Sequence, residues 1–144
     1  MGFQKKSIGA GTLARPHKIL IVDDENAILF AVKQYFTQAG YQVDCAQDVM
    51  DAKALPTAID YSLVITDLCL TGGHDADGLE VIRYARERRP HTPVILMTAH
   101  GSPEIERQAQ QRGADAILNK PVSLPHLAQV VAGLLGTASE RTHI

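Results

Sequence analysis

A chain of 144 residues, 45% of them apolar, can close one hydrophobic core unaided, which predicts a single folded domain. Its 14 Lys and Arg against 16 Asp and Glu leave a formal charge of −2, a balance that argues against a nucleic-acid footprint, which needs a basic face. Cys45 and Cys69 form neither a metal nor a disulfide pattern, no apolar run approaches membrane-spanning length, and the N-terminus lacks a signal-peptide core. The expectation is a cytoplasmic protein with reduced thiols.

Residues 1 to 16, rich in Gly and polar residues and closed by Pro16, read as a flexible leader; residues 17 to 135 read as the domain. A first apolar run, Lys18 to Val22, stops at Asp23-Asp24 and is followed by a helix from about Glu25. Ile28, Val32, Tyr35, Phe36 and Ala39 recur there at helical spacing, and Gly40 suits its end. Tyr41 to Ala46 reads as a second strand. Asp48 can cap a short helix through Met50, Ala52 and Leu55, with Pro56 marking its stop.

The run Ser62 to Asp67 is a short apolar segment ending on a carboxylate, as expected of a strand buried on both faces of a parallel sheet. Leu68 to Asp77 is a long loop with Gly72-Gly73, and Gly78 precedes a third helix whose Leu79, Ile82 and Ala85 share one face. Arg83, Arg86, Glu87, Arg88 and Arg89 crowd its other side and read as a solvated face. Val94 to Met97 leads to Thr98. Ser102-Pro103 starts a fourth helix, in which Ile105 and Ala109 are the main apolar positions, and Gly113 closes it. Ala116 to Asn119 leads to Lys120-Pro121. A last helix carries Leu124, Leu127, Val130, Val131, Leu134 and Leu135 at core spacing, and 136 to 144 read as a polar tail. Five strands alternating with five helices predict an α/β domain with a parallel sheet covered on both faces.

Acids, a hydroxyl and a lysine at successive strand ends can converge at the sheet rim, where open α/β sheets bind ligands. A cluster of Asp23, Asp24 and Asp67 repels itself, and protonation or a divalent cation must relieve it. Oxygen-only ligands favour Mg²⁺, which works with phosphates. Lys120 and Thr98 offer a charge and a hydrogen bond to a phosphoryl group, and a carboxylate can act as nucleophile and carry an acyl phosphate. His74, Asp75 and Asp77 suggest a metal site less well than an exposed loop.

The segments Ile19 to Glu25, Val64 to Asp67, Asp77 to Ile82, Pro93 to Ala99 and Gly113 through Lys120-Pro121 together resemble the receiver domain of bacterial two-component response regulators, from about His17 to Leu135. The resemblance implies a flavodoxin-like (βα)5 three-layer sandwich with sheet order 2-1-3-4-5. It implies that Asp67 accepts a phosphoryl group from a phosphohistidine on a sensor histidine kinase or histidine phosphotransfer protein. It further implies that Asp24 and the backbone carbonyl of Cys69 bind Mg²⁺ with Asp67, that Asp23 helps mostly through water, and that Thr98 and Lys120 contact phosphoryl oxygens. The Lys120-Pro121 bond is implied to be cis. Ile117 stands where the family usually has Tyr or Phe, Thr71 where its acceptor loop commonly has Pro, and the loop before Asp77-Gly78 is longer than usual. His100, two residues past Thr98, reads equally as a group placed to influence water access and as a solvent-exposed side chain.

The leading expectation is therefore a phospho-acceptor switch, not a turnover enzyme. It would signal to a protein target, as a monomer or a phosphorylation-dependent dimer, through the fourth helix, last strand and last helix (Glu104 to Gln111, Ile117, His126 to Val130). With nine residues after Leu135, no DNA-binding output domain is expected, and the alternatives are a free-standing receiver or a receiver from a larger regulator or hybrid kinase. A Mg²⁺-dependent phosphohydrolase with an Asp nucleophile is a further alternative, disfavoured because Cys69 stands where such enzymes keep a second acid.

Overall fold

Five short strands, apolar enough to lie buried, line up in parallel: β1 (Lys18–Val22), β2 (Gln42–Ala46), β3 (Leu63–Asp67), β4 (Val94–Thr98) and β5 (Ala116–Asn119), in spatial order β2-β1-β3-β4-β5. The computed structural model describes residues 16–70 and 76–143. Between the strands run α1 (Asn26–Gln38), α2 (Val49–Ala58), α3 (Ala76–Arg88), α4 (Pro103–Arg112) and α5 (Leu124–His143). This is the predicted flavodoxin-like order. The leader at residues 1–15 and the loop features at Thr71, Gly72, Gly73, His74 and Asp75 lie outside the described residues.

Alternation along the strands feeds two cores. Leu20, Val22, Val64, Val94 and Leu96 point to one face and pack with Ala52 of α2, Leu79 and Ile82 of α3 and Ala109 of α4. Ile19, Ile21, Leu63, Ile65, Ile95 and Met97 point to the other, where α1 supplies Leu29, Val32 and Phe36 and α5 supplies Leu127, Val131 and Leu135. Both faces of the three central strands are thus dry, and polar groups are pushed to the strand ends. Among the described residues, no helix is long and apolar enough to cross a membrane.

The predicted helix boundaries follow local chemistry. Asp48 accepts from the Asp51 N–H and Ser102 from the Ile105 N–H, each satisfying an otherwise unpaired first-turn donor. Gly40 and Gly113 take φ of 101° and 108°, the left-handed region that ends a helix cheaply only for glycine.

Three expectations are corrected by tertiary contact, and one helix runs further than its core positions alone suggest. Pro56 lies inside α2, which runs on to Ala58. A proline so near the helix end removes one bond, and its buried ring packs inward. Met50 is 81% exposed, and α2 instead turns Val49, Ala52 and Leu55 to the core. The backbone of α5 continues through Gly136 to His143, beyond its last core residue, Leu135. Arg86 is only partly solvated: its guanidinium donates to the Gly113 carbonyl (2.5 Å), to Asp115 Oδ2 (2.8 Å) and to the Pro90 carbonyl. Asp115 Oδ2 also accepts from the Val94 N–H at 2.8 Å, so this residue pins the end of α3 to the start of β4 and the turn before β5.

Gly78 belongs to the first turn of α3 rather than preceding it. A Cβ there would overlap the Asp67 carbonyl oxygen and come within 2.6 Å of Leu68 Cα, and the Gly78 N–H donates to the Leu68 carbonyl at 2.9 Å. The helix can lie this close to the end of β3 only with a hydrogen in place of a side chain. Gly78→Ala should cost about 2 kcal/mol, because backbone must shift on both sides of the overlap. The midpoint of urea unfolding measures it, and an unchanged midpoint would refute the tight approach.

Candidate functional site

The residues singled out from sequence sit on adjacent strand ends at one rim. The Asp23 N–H donates to the Ala46 carbonyl at 3.0 Å, extending the β1–β2 ladder by one residue and fixing where the acidic pair leaves the sheet. Asp67 is the last residue of β3, Thr98 the last of β4, and Lys120 follows β5 with its N–H on the Thr98 carbonyl at 2.8 Å. Connections leave β1 and β3 in opposite directions, so the acids flank the crevice between them, the switch point of this sheet order.

Asp23, Asp24 and Asp67 each present a carboxylate oxygen within 4.8 Å of the others. Their surroundings differ. Asp23 is fully buried and Asp67 is 7% exposed, whereas Asp24 faces solvent. One carboxylate oxygen of Asp23 accepts from the Glu25 N–H (2.9 Å) and the other from Lys120 Nζ (2.8 Å). The same ammonium lies 3.3 Å from Asp67 Oδ1 and 3.7 Å from Glu25 Oε1. Lys120 therefore spans two of the three acids, and Asp24 is left to the open side.

Burial, and then the neighbouring Asp23 charge, push the Asp67 carboxyl up to about 6 despite the opposing pull of Lys120. Burial works against the charge on Lys120, but its bonds and attractions to Asp23 and Asp67 outweigh that and hold its pKa above the ordinary value. Lost hydration first, and the neighbouring Asp23 carboxylate second, thus weigh on the charged form of this acid. Three carboxylates with oxygens within 4.8 Å of one another, and no nitrogen or sulfur donor among them, fit a hard, oxygen-seeking cation such as Mg²⁺.

Thr98 is 1% exposed, and its hydroxyl oxygen accepts from the His100 N–H at 3.2 Å. Cys69, two residues beyond Asp67, packs partly buried on the α2–α3–α4 side, and His100 is exposed. The Lys120–Pro121 peptide is cis, as expected. Ile117 is half-buried against the same core side. Sequence reasoning missed Glu25 as a neighbour of Lys120, although it stands in the Asp23-Asp24-Glu25 run, and missed the role of Gly78 in backing the Asp67 carbonyl.

Comparison with known proteins agrees with this geometry. The family model for the response regulator receiver domain matches residues 19–132. The chain belongs to that family. This receiver domain is 34% identical to the transcriptional regulatory protein ResD of Bacillus subtilis over 126 residues, which make up 88% of this chain and 51% of ResD. It superposes on a CheY-like response regulator receiver domain protein from Methanospirillum hungatei with a TM-score of 0.83 and 29% identity, covering 88% of this chain and 99% of that one. The beryllofluoride-activated NtrC4 receiver domain dimer matches with a TM-score of 0.75 and 26% identity, over 83% of this chain and 97% of that one. The chain spans about half or less of the length of the first curated relatives it matches. The acidic triad of this receiver domain is of the Mg²⁺-binding kind typical of the family.

Proposed function

We propose that this receiver domain takes a phosphoryl group from a phosphohistidine of a sensor histidine kinase or histidine phosphotransfer protein onto Asp67. In that transfer an Asp67 carboxylate oxygen forms the new P–O bond, the P–N bond to the donor imidazole breaks, and its electron pair stays on the imidazole nitrogen. The observation that carries the reading is the Lys120 ammonium lying 3.3 Å from Asp67 Oδ1 while bonded to Asp23 at 2.8 Å. A cation held there can face a phosphoryl oxygen without having to move into place, which is how preorganised charge lowers a barrier.

Asp24, Asp67 and the Cys69 carbonyl would hold Mg²⁺ directly, with Asp23 acting mostly through water. When bound, the ion supplies positive charge to the phosphoryl oxygens. The Thr98 hydroxyl keeps its hydrogen free while its oxygen accepts from His100, so it can donate to a phosphoryl oxygen. The chain then acts as a switch in the cytoplasm, offering α4, β5 and α5 to a protein target or a second copy. The dimer recorded for the NtrC4 receiver supports the second possibility.

Incubation with Mg²⁺ and acetyl phosphate, followed by intact-mass measurement and phosphate release, tests this. One hydroxylamine-sensitive adduct per chain is expected, absent in Asp67→Asn. Release of many phosphates per chain would instead make it a hydrolase, and no adduct in the parent protein would end the phospho-acceptor reading.

A further inference from the structure

The strands begin at the face opposite the acidic rim, a strand length of roughly 16 Å from Asp67. A cleft of about 520 Å³ opens there, between the starts of β1, β3 and β4 and the end of α3. That is the size of a small-molecule site. Its floor is apolar: Tyr61 and Leu135 are buried and Pro93 is half-buried. Hydrogen bonds already hold its walls. The Lys18 N–H donates to Ser62 Oγ at 3.1 Å, and the Thr92 N–H donates to the Arg89 carbonyl at 3.1 Å. Ser62 keeps its hydroxyl hydrogen to donate.

The rim of the cleft is cationic. Arg88, Arg89, His17 and His91 line it against one carboxylate, Asp60, which is paired with Arg89. Among the described residues, the side chains of Arg88 and His91 make no hydrogen bond or ion pair. Arg88 lies over the Tyr84 ring, 5.7 Å from its centroid. Past His17 and Ser62 the cleft adjoins a hollow of about 730 Å³ that adds Lys18 and is lined by Pro16. The residues before Pro16 include Lys5, Lys6 and Arg15 and no acid, so their sequence offers no carboxylate to these cations. The carboxyl end of α3 on its own disfavours an anion, but Arg86 and Arg88 in its last turn offset that field. In a chain of formal charge −2, this face therefore gathers cations that await a partner.

We propose that this basal cleft binds a nucleoside polyphosphate, its phosphates on Arg88 and Arg89 and its base over the floor of Tyr61, Pro93 and Leu135. A bare anion would leave the apolar floor uncovered, and a neutral apolar ligand would leave the guanidiniums unpaired. A nucleotide uses both, with the flat apolar group and the charge on one molecule. The site needs neither Mg²⁺ nor the chemistry at Asp67, so it stands apart from the phospho-acceptor reading.

Titration calorimetry of the full chain with ATP tests this, in chelator so that no metal bridges the nucleotide to the acidic rim. One ATP per chain is expected, bound more weakly as salt is raised. Arg88→Ala should weaken binding by about tenfold or more, the loss of one charge-assisted contact. Asp60→Asn should tighten it by about two- to fivefold, because it frees Arg89 from an exposed ion pair. Both side chains are exposed, so both variants should fold, and shifts in opposite directions are not what a general loss of structure produces. No heat of ATP binding at low salt overturns the proposal, and so does binding that neither substitution alters. Tripolyphosphate bound as tightly as ATP would show a cleft with no place for a base. Polyglutamate or a short oligonucleotide bound more tightly than ATP would put a macromolecule there, and either result overturns the assignment as well.

Discussion

Lys120→Ala should lose about 3 kcal/mol of stability at neutral pH in metal-free buffer, the lower end of what removing one partner of a buried ion pair costs. The lower end applies because the Lys120 side chain keeps 15% of its surface and that of Asp67 10%, so neither charge is fully desolvated. Asp23 is different. It has no exposure, and without the ammonium its carboxylate retains the Glu25 N–H at 2.9 Å as its recorded hydrogen bond. Two routes should restore the variant. Lowering the pH to about 5 protonates the raised acid and removes the repulsion. Adding Mg²⁺ to a hundredfold excess over its dissociation constant returns about 2.7 kcal/mol through mass action on the folded state. Urea unfolding with and without Mg²⁺ measures both. A variant as stable as the parent protein in chelator at neutral pH would mean that Lys120 is not holding these carboxylates together.

Why Asp67, Asp23, Asp24, Thr98 and Lys120 were legible before any coordinates is a matter of where apolar runs stop. A strand buried on both faces has no place for a carboxylate until its end, so a run such as Leu63 to Thr66 followed by an acid locates that acid at a rim. Caps were legible for the same local reason: Ser102-Pro103 and Gly113 satisfy α4 within its own turns. Gly78 and Arg86 were misread because their constraints come from elsewhere. Gly78 is set by the Asp67 carbonyl, and Arg86 by Asp115, 29 residues away in the chain. Within the site, the sequence announces the participants but not the pairing. Nothing local tells that Lys120 lies nearer Asp23 than Asp67, or that the Thr98 hydroxyl accepts from the His100 N–H. Those choices are made by the register of β4 with β5 and by the turn after β1.

Asp67→Asn should be more stable than the parent protein in metal-free buffer, by up to about 3 kcal/mol at neutral pH, even as it loses the phosphoryl adduct. The folded carboxyl is raised from 3.8 to about 6, and each unit of difference is worth 1.36 kcal/mol. Between those values the unfolded chain has released its proton and the folded one has not. The unfolded state binds fewer protons there, so stability falls as pH rises through the window and the full deficit is present above about pH 6. An amide of the same shape has no charge to bury. The gap between variant and parent should therefore close near pH 4, open up to about pH 6 and stay constant beyond. Mg²⁺ should narrow it from the other side, because it stabilises the parent, which keeps all three carboxylates, more than the variant. Urea midpoints across this range, with chelator and with Mg²⁺, give the whole pattern. A gap that does not change with pH would show that the cost at position 67 is steric and not electrostatic, and a destabilised variant at neutral pH in chelator would place its carboxylate among well-compensated charges, contrary to the burial and the Asp23 repulsion from which the prediction comes.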